Sequence, residues 1–231
     1  MSVDTIYPFS DTLTTTITAD KPFTYYVRIP SWANNGTIAI NGEEPRAVQP
    51  TDGLQSVSVQ AGTTKFTLNL PAEITIGQTV PLPRSARIAH LSFAESRPHS
   101  SVAVHRGPLH YALDIQRSQK VLKQNANESL ALDLEFDATA PWEYAIDPST
   151  LVFNANPPAN GTLPSPIFDF GLSPYTITAT ACPITWGLAG DTFATSPPEN
   201  PACTGAPVNI TLSPYGVRCA ASYDCLKGKY H

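Results

Sequence analysis

Residues 101–116 read SVAVHRGPLHYALDIQ, and the fold class follows from this stretch. Val102 and Val104 alternate with Ala103 and His105 until Arg106-Gly107-Pro108 interrupts them. Leu109, Tyr111, Leu113 and Ile115 then resume the alternation against His110, Ala112, Asp114 and Gln116. A period of two on both sides of a breaker predicts two short strands, or one sharply bent strand, each with a buried face. Glycine supplies an unusual backbone angle and proline removes a donor, so strand pairing must change there. Gly107 is expected to need a conformation that a Cβ penalises. The stretch also divides the chain into two β-rich halves. It reads as the last strands of one sandwich leading into a second, which predicts domains at 1–116 and 117–231.

Moving towards the N-terminus, Leu13 and Ile17 share a face within 9–20, and Phe23, Tyr25, Val27 and Ile29 alternate up to Pro30. Asn34-Asn35-Gly36 and Asn41-Gly42 are turn signals. Val57 and Val59 form a further short strand, and Phe66, Leu68 and Leu70 point away from Lys65, Thr67 and Asn69. Short strands joined by tight turns are a β-sandwich signature. Residues 77–94 break the rhythm and are expected to form a long loop with at most a short helical turn.

Towards the C-terminus, 118–127 is polar and reads as a linker or long connection. Leu130, Leu132, Leu134 and Phe136 alternate with Asp133, Glu135 and Asp137. Strands are expected at 141–146, 150–153, 175–182 and 184–188. The last begins at Val208, Ile210 and Leu212, with Asn209 on its outer face. The fold class expected is therefore all-β: two antiparallel, jelly-roll-like β-sandwich domains in tandem.

Composition narrows the function. Charged residues are 14% of the 231, well below the usual quarter, while Pro, at 23, is about twice its average share. That balance favours strands and rigid loops over a helical bundle. A net charge of −5 and a pI near 5.4 disfavour nucleic acid and anionic membranes as partners. No run approaches the ~18 apolar residues of a spanning helix. MSVDTIYPFS lacks the basic start and apolar core of a signal peptide. Four sequons nevertheless begin at Asn35, Asn127, Asn160 and Asn209, and the Cys count is even. Together they point to a secreted glycoprotein whose chain is a piece of something longer.

The four cysteines, Cys182, Cys203, Cys219 and Cys225, lie in the last quarter and allow three pairings. Cys182–Cys203, closing a Pro-rich loop, with Cys219–Cys225 is the favoured set over a metal site. His105 and His110 flank the breaker, on the face opposite the Val/Leu/Tyr series; a surface or interface role competes with a catalytic one. Asp133, Glu135 and Asp137 put three carboxylates side by side, a pattern suited to glycoside hydrolysis or Ca²⁺ but simplest as a solvated strand face. Trp32, Trp142 and Trp186 could stack on sugar rings or pack inside the molecule. No G-x-S-x-G and no phosphate loop occurs.

Several segments together resemble a known family. YPFSDTLTTTITADKPFTYYVRIPSWA, the turn INGE, LNLPAEI, AVHRGPLHYALDI, CPITWGLAGD and ITLSPYG resemble the C-terminal half of the β-L-arabinofuranosidase family, glycoside hydrolase family 127, in a fungal-looking version. In that family an (α/α)₆ barrel carries catalysis and two β-sandwich domains follow it. The resemblance implies a middle sandwich at about 1–116 and a C-terminal one after it. The family's nucleophilic Cys, catalytic Glu and zinc-binding cluster belong to the barrel, and no position here matches them. Residues 77–94 look inserted relative to the pattern, and the tail after Gly216 replaces an apolar closing strand with a Cys-bearing polar one.

The expected role is non-catalytic recognition of carbohydrate or of a cell-surface protein, with Trp32, Trp142, Trp186, His105 and His110 as contact candidates. No catalytic residue, metal or other cofactor is expected, and neither nucleic acid nor a membrane is expected as partner. A missing catalytic domain or self-association remains open. Two alternatives stand beside this: a fragment or relative of an active arabinofuranosidase, and a fungal immunomodulatory glycoprotein acting on host-cell receptors.

Overall fold

The computed structural model describes residues 1–78, 101–113, 115–128, 131–158, 162–164, 173–190 and 193–215. Among them the regular structure is β-strand throughout, apart from one 3-10 turn at Pro148–Thr150. The all-β class read from the sequence is the class observed. The chain forms two compact units, Met1–Thr75 with Arg106–Leu109, and Ile76–His105 with His110–His231. This partition and the one expected at residue 116 assign residues 76–105 and 110–116 differently.

The first unit contains β1 (Ser2–Asp4), β2 (Thr12–Ala19), β3 (Phe23–Arg28), β4 (Thr37–Ile40), β5 (Arg46–Ala47), β6 (Leu54–Val59) and β7 (Gly62–Asn69). Five of these form a sheet in the order β1-β2-β7-β4-β5, while β3 and β6 make a separate antiparallel ribbon. In β7, Thr64, Phe66 and Leu68 are buried, as a period of two requires. Ile17, Ile38, Phe66 and Leu68 from the sheet meet Val57 and Val59 from the ribbon in one core cluster, with Tyr25 and Val27 packed against it. Two stacked layers with one shared core are a sandwich. Each such aliphatic or aromatic side chain stabilises the fold by roughly 1.5–3 kcal/mol when fully buried.

Next come β8 (Ile74–Gln78), β9 (Val102–Arg106) and β10 (Leu109–Leu113). β9 and β10 are hydrogen-bonded neighbours joined through Gly107-Pro108. The breaker thus makes a hairpin turn, and Gly107 adopts φ +55°. The sequence reading placed Arg106 in the breaker, but it ends β9 and is buried beside Val104 in the same register. A charge turned inward needs a partner. The Arg106 Nη2 group donates to both Asp11 oxygens at 3.0 Å.

The Arg106 side chain is 10% exposed and that of Asp11 31%. Breaking a fully buried pair costs about 3–5 kcal/mol; hydration of Asp11 should lower this to about 2 kcal/mol for Asp11→Asn. Arg106→Met should cost less than Asp11→Asn, because the carboxylate it leaves behind can take up water. Urea midpoints of both single variants and the double variant check this, and a neutral Asp11→Asn contradicts it.

The second unit continues with β11 (Arg117–Gln124), β12 (Leu132–Ala138), β13 (Tyr144–Ile146), β14 (Val152–Ala155), β15 (Tyr175–Pro183), β16 (Leu188–Ala189), β17 (Phe193–Ala194) and β18 (Val208–Pro214). A seven-stranded sheet runs β13-β15-β18-β10-β9-β8, with β14 also paired to β15. Tyr175, Ile177, Ala179 and Ala181 of β15 are buried, and Ile210 and Leu212 of β18 bury beside them.

Some boundaries differ from expectation. The 118–127 segment is a strand rather than a linker: β11 pairs with β12 from Arg117↔Ala138 to Gln124↔Leu132. Its side chains are nearly all exposed, so no apolar alternation betrays it. Residues 77 and 78 still belong to β8; the remainder of 77–94 lies outside the described residues. In 184–188 only Leu188 is in a strand, and in 141–146 the strand is Tyr144–Ile146.

Candidate functional site

The second unit holds a cleft of about 530 Å³. Its walls come from β9, β10 and β13, from Pro148, and from the segments either side of β16 and β17. The side chains that give it chemical character are Tyr144, Trp186 and His110, set among prolines of which Pro197 and Pro198 are two. None of its described lining residues is acidic.

Local structure explains how these groups converge. Tyr144 pairs with Pro183 where β13 flanks β15. Just past it, the Ile184 N–H donates to the Glu143 carbonyl at 3.0 Å, holding the exit of β15 to the same strand. Trp186 follows immediately, its ring 5.3 Å from that of Trp142 at 55°. Its indole N–H donates to the Thr195 carbonyl at 3.0 Å, and the Thr195 N–H returns to the Gly187 carbonyl. The chain is brought back by a disulfide between Cys182 and Cys203, with Cα atoms 5.5 Å apart, and by Thr204 N–H donating to the Pro183 carbonyl at 2.8 Å. The Pro-rich wall is therefore tied at both ends to β15.

Below the turn of the β9–β10 hairpin, the His105 and His110 rings stack with centroids 4.5 Å apart and 25° between planes. The Tyr215 ring lies 6.0 Å from His110, and the Tyr215 N–H donates to the His110 carbonyl at 2.6 Å. Beside the cleft, Asp147 opens the 3-10 turn that carries Pro148. The Ser149 side chain and backbone N–H both donate to its carboxylate, which lowers its pKa.

Of the contact candidates, Trp142 with Trp186 and His105 with His110 are brought together, and Trp186 and His110 reach the cleft. Trp32 instead packs against the core of the first unit. Asn35, Asn127 and Asn209 are exposed. Asn160, Cys219 and Cys225 lie outside the described residues. Asp133, Glu135 and Asp137 are solvated on β12, with Lys120 3.4 Å from Glu135 and Lys123 in register with Asp133. The sequence reading placed Tyr144 in a strand and noted the Pro-rich loop as one that a disulfide closes, but read neither as the wall of a cleft.

An aromatic and proline-lined cleft with one imidazole suits a ligand that has an apolar face and hydroxyls at its rim. Residues 1–72 match the family model for the middle domain of GH127 β-L-arabinofuranosidase, so the resemblance read in the sequence is borne out there. No curated protein matches the chain. Among solved structures, a GH127 β-L-arabinofuranosidase from Geobacillus stearothermophilus T6 is similar, with TM-score 0.54 and 19% identity over 95% of this chain and 28% of that one. At that identity the likeness is one of fold. A glycoside hydrolase (TM-score 0.49, 17% identity, 98% of this chain, 30% of that one) and another GH127 β-arabinofuranosidase (0.48, 14%, 93% and 28%) are also similar. The chain spans less than a third of the length of each of these three structures.

Proposed function

We propose that this chain is an accessory, non-catalytic β-sandwich region of a β-L-arabinofuranosidase-like glycoside hydrolase, and that it recognises carbohydrate in the cleft of its second unit. The observation that carries the reading is the meeting of Trp186, Tyr144 and His110 around one cleft of about 530 Å³. An indole whose N–H is already satisfied leaves its ring as an apolar platform for the C–H face of a sugar. His110 offers a polar group for a hydroxyl. Residues 1–72, in the first unit and not at the cleft, match the middle domain of β-L-arabinofuranosidase, which makes L-arabinose units the first sugar to test.

Calorimetric titration with methyl β-L-arabinofuranoside should show binding. Trp186→Ala should weaken it at least about tenfold, a loss of about 1.4 kcal/mol. Equal affinity in the variant, or no heat with the intact chain, overturns the cleft assignment. Release of arabinose from an aryl β-L-arabinofuranoside above the buffer rate overturns the non-catalytic role. We also read the chain as a secreted glycoprotein, supported by three exposed sequon asparagines. Expressed through a secretory host, it should lose mass on treatment with an N-glycosidase; unchanged mass removes this reading.

A further inference from the structure

We propose that His105 and His110 form a two-imidazole site for a divalent transition ion, with Cu(II) held most tightly. Counting outward from the Gly107-Pro108 turn, Arg106 and Leu109 come first and the two histidines second, on strands that are hydrogen-bonded neighbours. Their rings are already 4.5 Å apart. His105 is half-buried and His110 exposed, so an ion can approach from the His110 side.

Imidazole suits Zn, Ni and Cu, and affinity rises to Cu(II) along the divalent series. A metal–nitrogen bond is about 2.0–2.1 Å, so one ion bridges two nitrogens within about 4 Å of each other. The terminal torsion of histidine is broad. Both rings would have to turn out of their present stack for one nitrogen of each to reach a common ion, with the hairpin backbone unchanged. Because the strands fix the two backbones side by side, only the side-chain torsions have to be ordered on binding. The net charge of −5 adds a weak general attraction for cations.

Among the described residues no group of three or more His, Cys, Asp or Glu is placed to hold a metal. The ion would therefore keep water in its other positions, which makes the site open and the binding reversible. Since His110 also lines the cleft, the ion would stand at the cleft's edge. The site stands independently of the carbohydrate reading, and its test uses no sugar.

The test is titration of the full chain with CuSO₄ alone at neutral pH, followed by electron paramagnetic resonance at substoichiometric copper. The intact chain should show two equivalent imidazole nitrogens on the ion, a readout that needs no variant. Losing an outer partner of a metal-bound histidine costs roughly 10–100-fold in affinity. Losing one of only two ligands, in His105→Ala or His110→Ala, should therefore weaken binding at least about tenfold and remove one nitrogen from the spectrum. NiCl₂ and ZnCl₂ should bind more weakly and be displaced by copper. A single-nitrogen signal in the intact chain, or undiminished affinity in both variants, overturns the site and leaves the pair as a ring contact only.

Discussion

Gly107→Val should destabilise the chain by about 2–6 kcal/mol, the sum of two separate penalties at one turn. The first is conformational. At φ +55° the residue is left-handed, a region that disfavours every side chain and a β-branched one most; holding it there costs about 1–3 kcal/mol. The second is steric. A Cβ built on Gly107 meets the Ala72 Cβ at 3.1 Å and the Trp32 ring at 3.5 Å, within the first unit. Valine's two methyl groups reach further into the same space, and overpacking of this kind costs about 1–3 kcal/mol. Gly107→Ala should cost less, because it keeps the backbone penalty of about 1–2 kcal/mol and the Cβ contact with Ala72 but lacks valine's two methyl groups. His110→Ala, exposed on the adjoining strand, should cost under about 1 kcal/mol. Urea midpoints of the three variants decide the matter. A neutral Gly107→Val would mean that the turn tolerates side chains and that Trp32 can move aside.

Opening the Cys182–Cys203 disulfide should cost about 3 kcal/mol, from a sequence separation of 21 residues in the chain-entropy model. Cys203→Ala is the cleaner variant, since Cys203 is exposed whereas Cys182 is buried in β15. Reductant should lower the midpoint of the intact chain more than that of Cys203→Ala, in which this disulfide is already absent. The loop between these residues carries Trp186 and the prolines of the cleft wall. Affinity for an arabinofuranoside should therefore fall in parallel with stability, because the wall loses its preorganisation. If Cys203→Ala matches the intact chain in both readouts, the hydrogen bonds from Thr204 and Trp186 suffice to fix the loop.

What the sequence made legible was whatever burial writes into it. Strands such as β7, β15 and β18 bury one face, so their apolar residues alternate, and each was found close to its observed place. β11 has solvent on most of its side chains and takes its order from backbone pairing with β12 and from the Arg117 guanidinium lying 4.4 Å from the Phe136 ring centroid. Such a strand leaves no period of two to read. Arg106 was misread for a related reason. A charged residue next to Gly-Pro looks like part of a turn, and only the position of Asp11, 95 residues earlier, explains why it faces inward.

The candidate site shows the same division. Aromatic identity singled out all three tryptophans, but not which of them packs against the first unit's core. That depends on contacts distant in the chain: the Trp32 ring lies 3.5 Å from where a Cβ on Gly107 would stand. Tyr144 was not read as part of a cleft because that role arises from pairing β13 with β15, a contact across some 40 positions of chain.

The pairing of β10 with β18, Tyr111 opposite Pro214, has a consequence for how the protein is made. Ribosomes add about 5–20 residues per second, so the roughly 100 residues between those partners take about 5–20 s to emerge. Through that interval β10 has been synthesised while the strand that covers it has not. An uncovered strand edge is a template for pairing with another chain. The first unit waits as well, though more briefly, for Arg106–Leu109 to follow Thr75. Yield in a foreign host should thus depend on the speed of translation through 114–207 and on chaperones that shield nascent strands. Slow codons placed there would lengthen the vulnerable interval, and fast ones would shorten it.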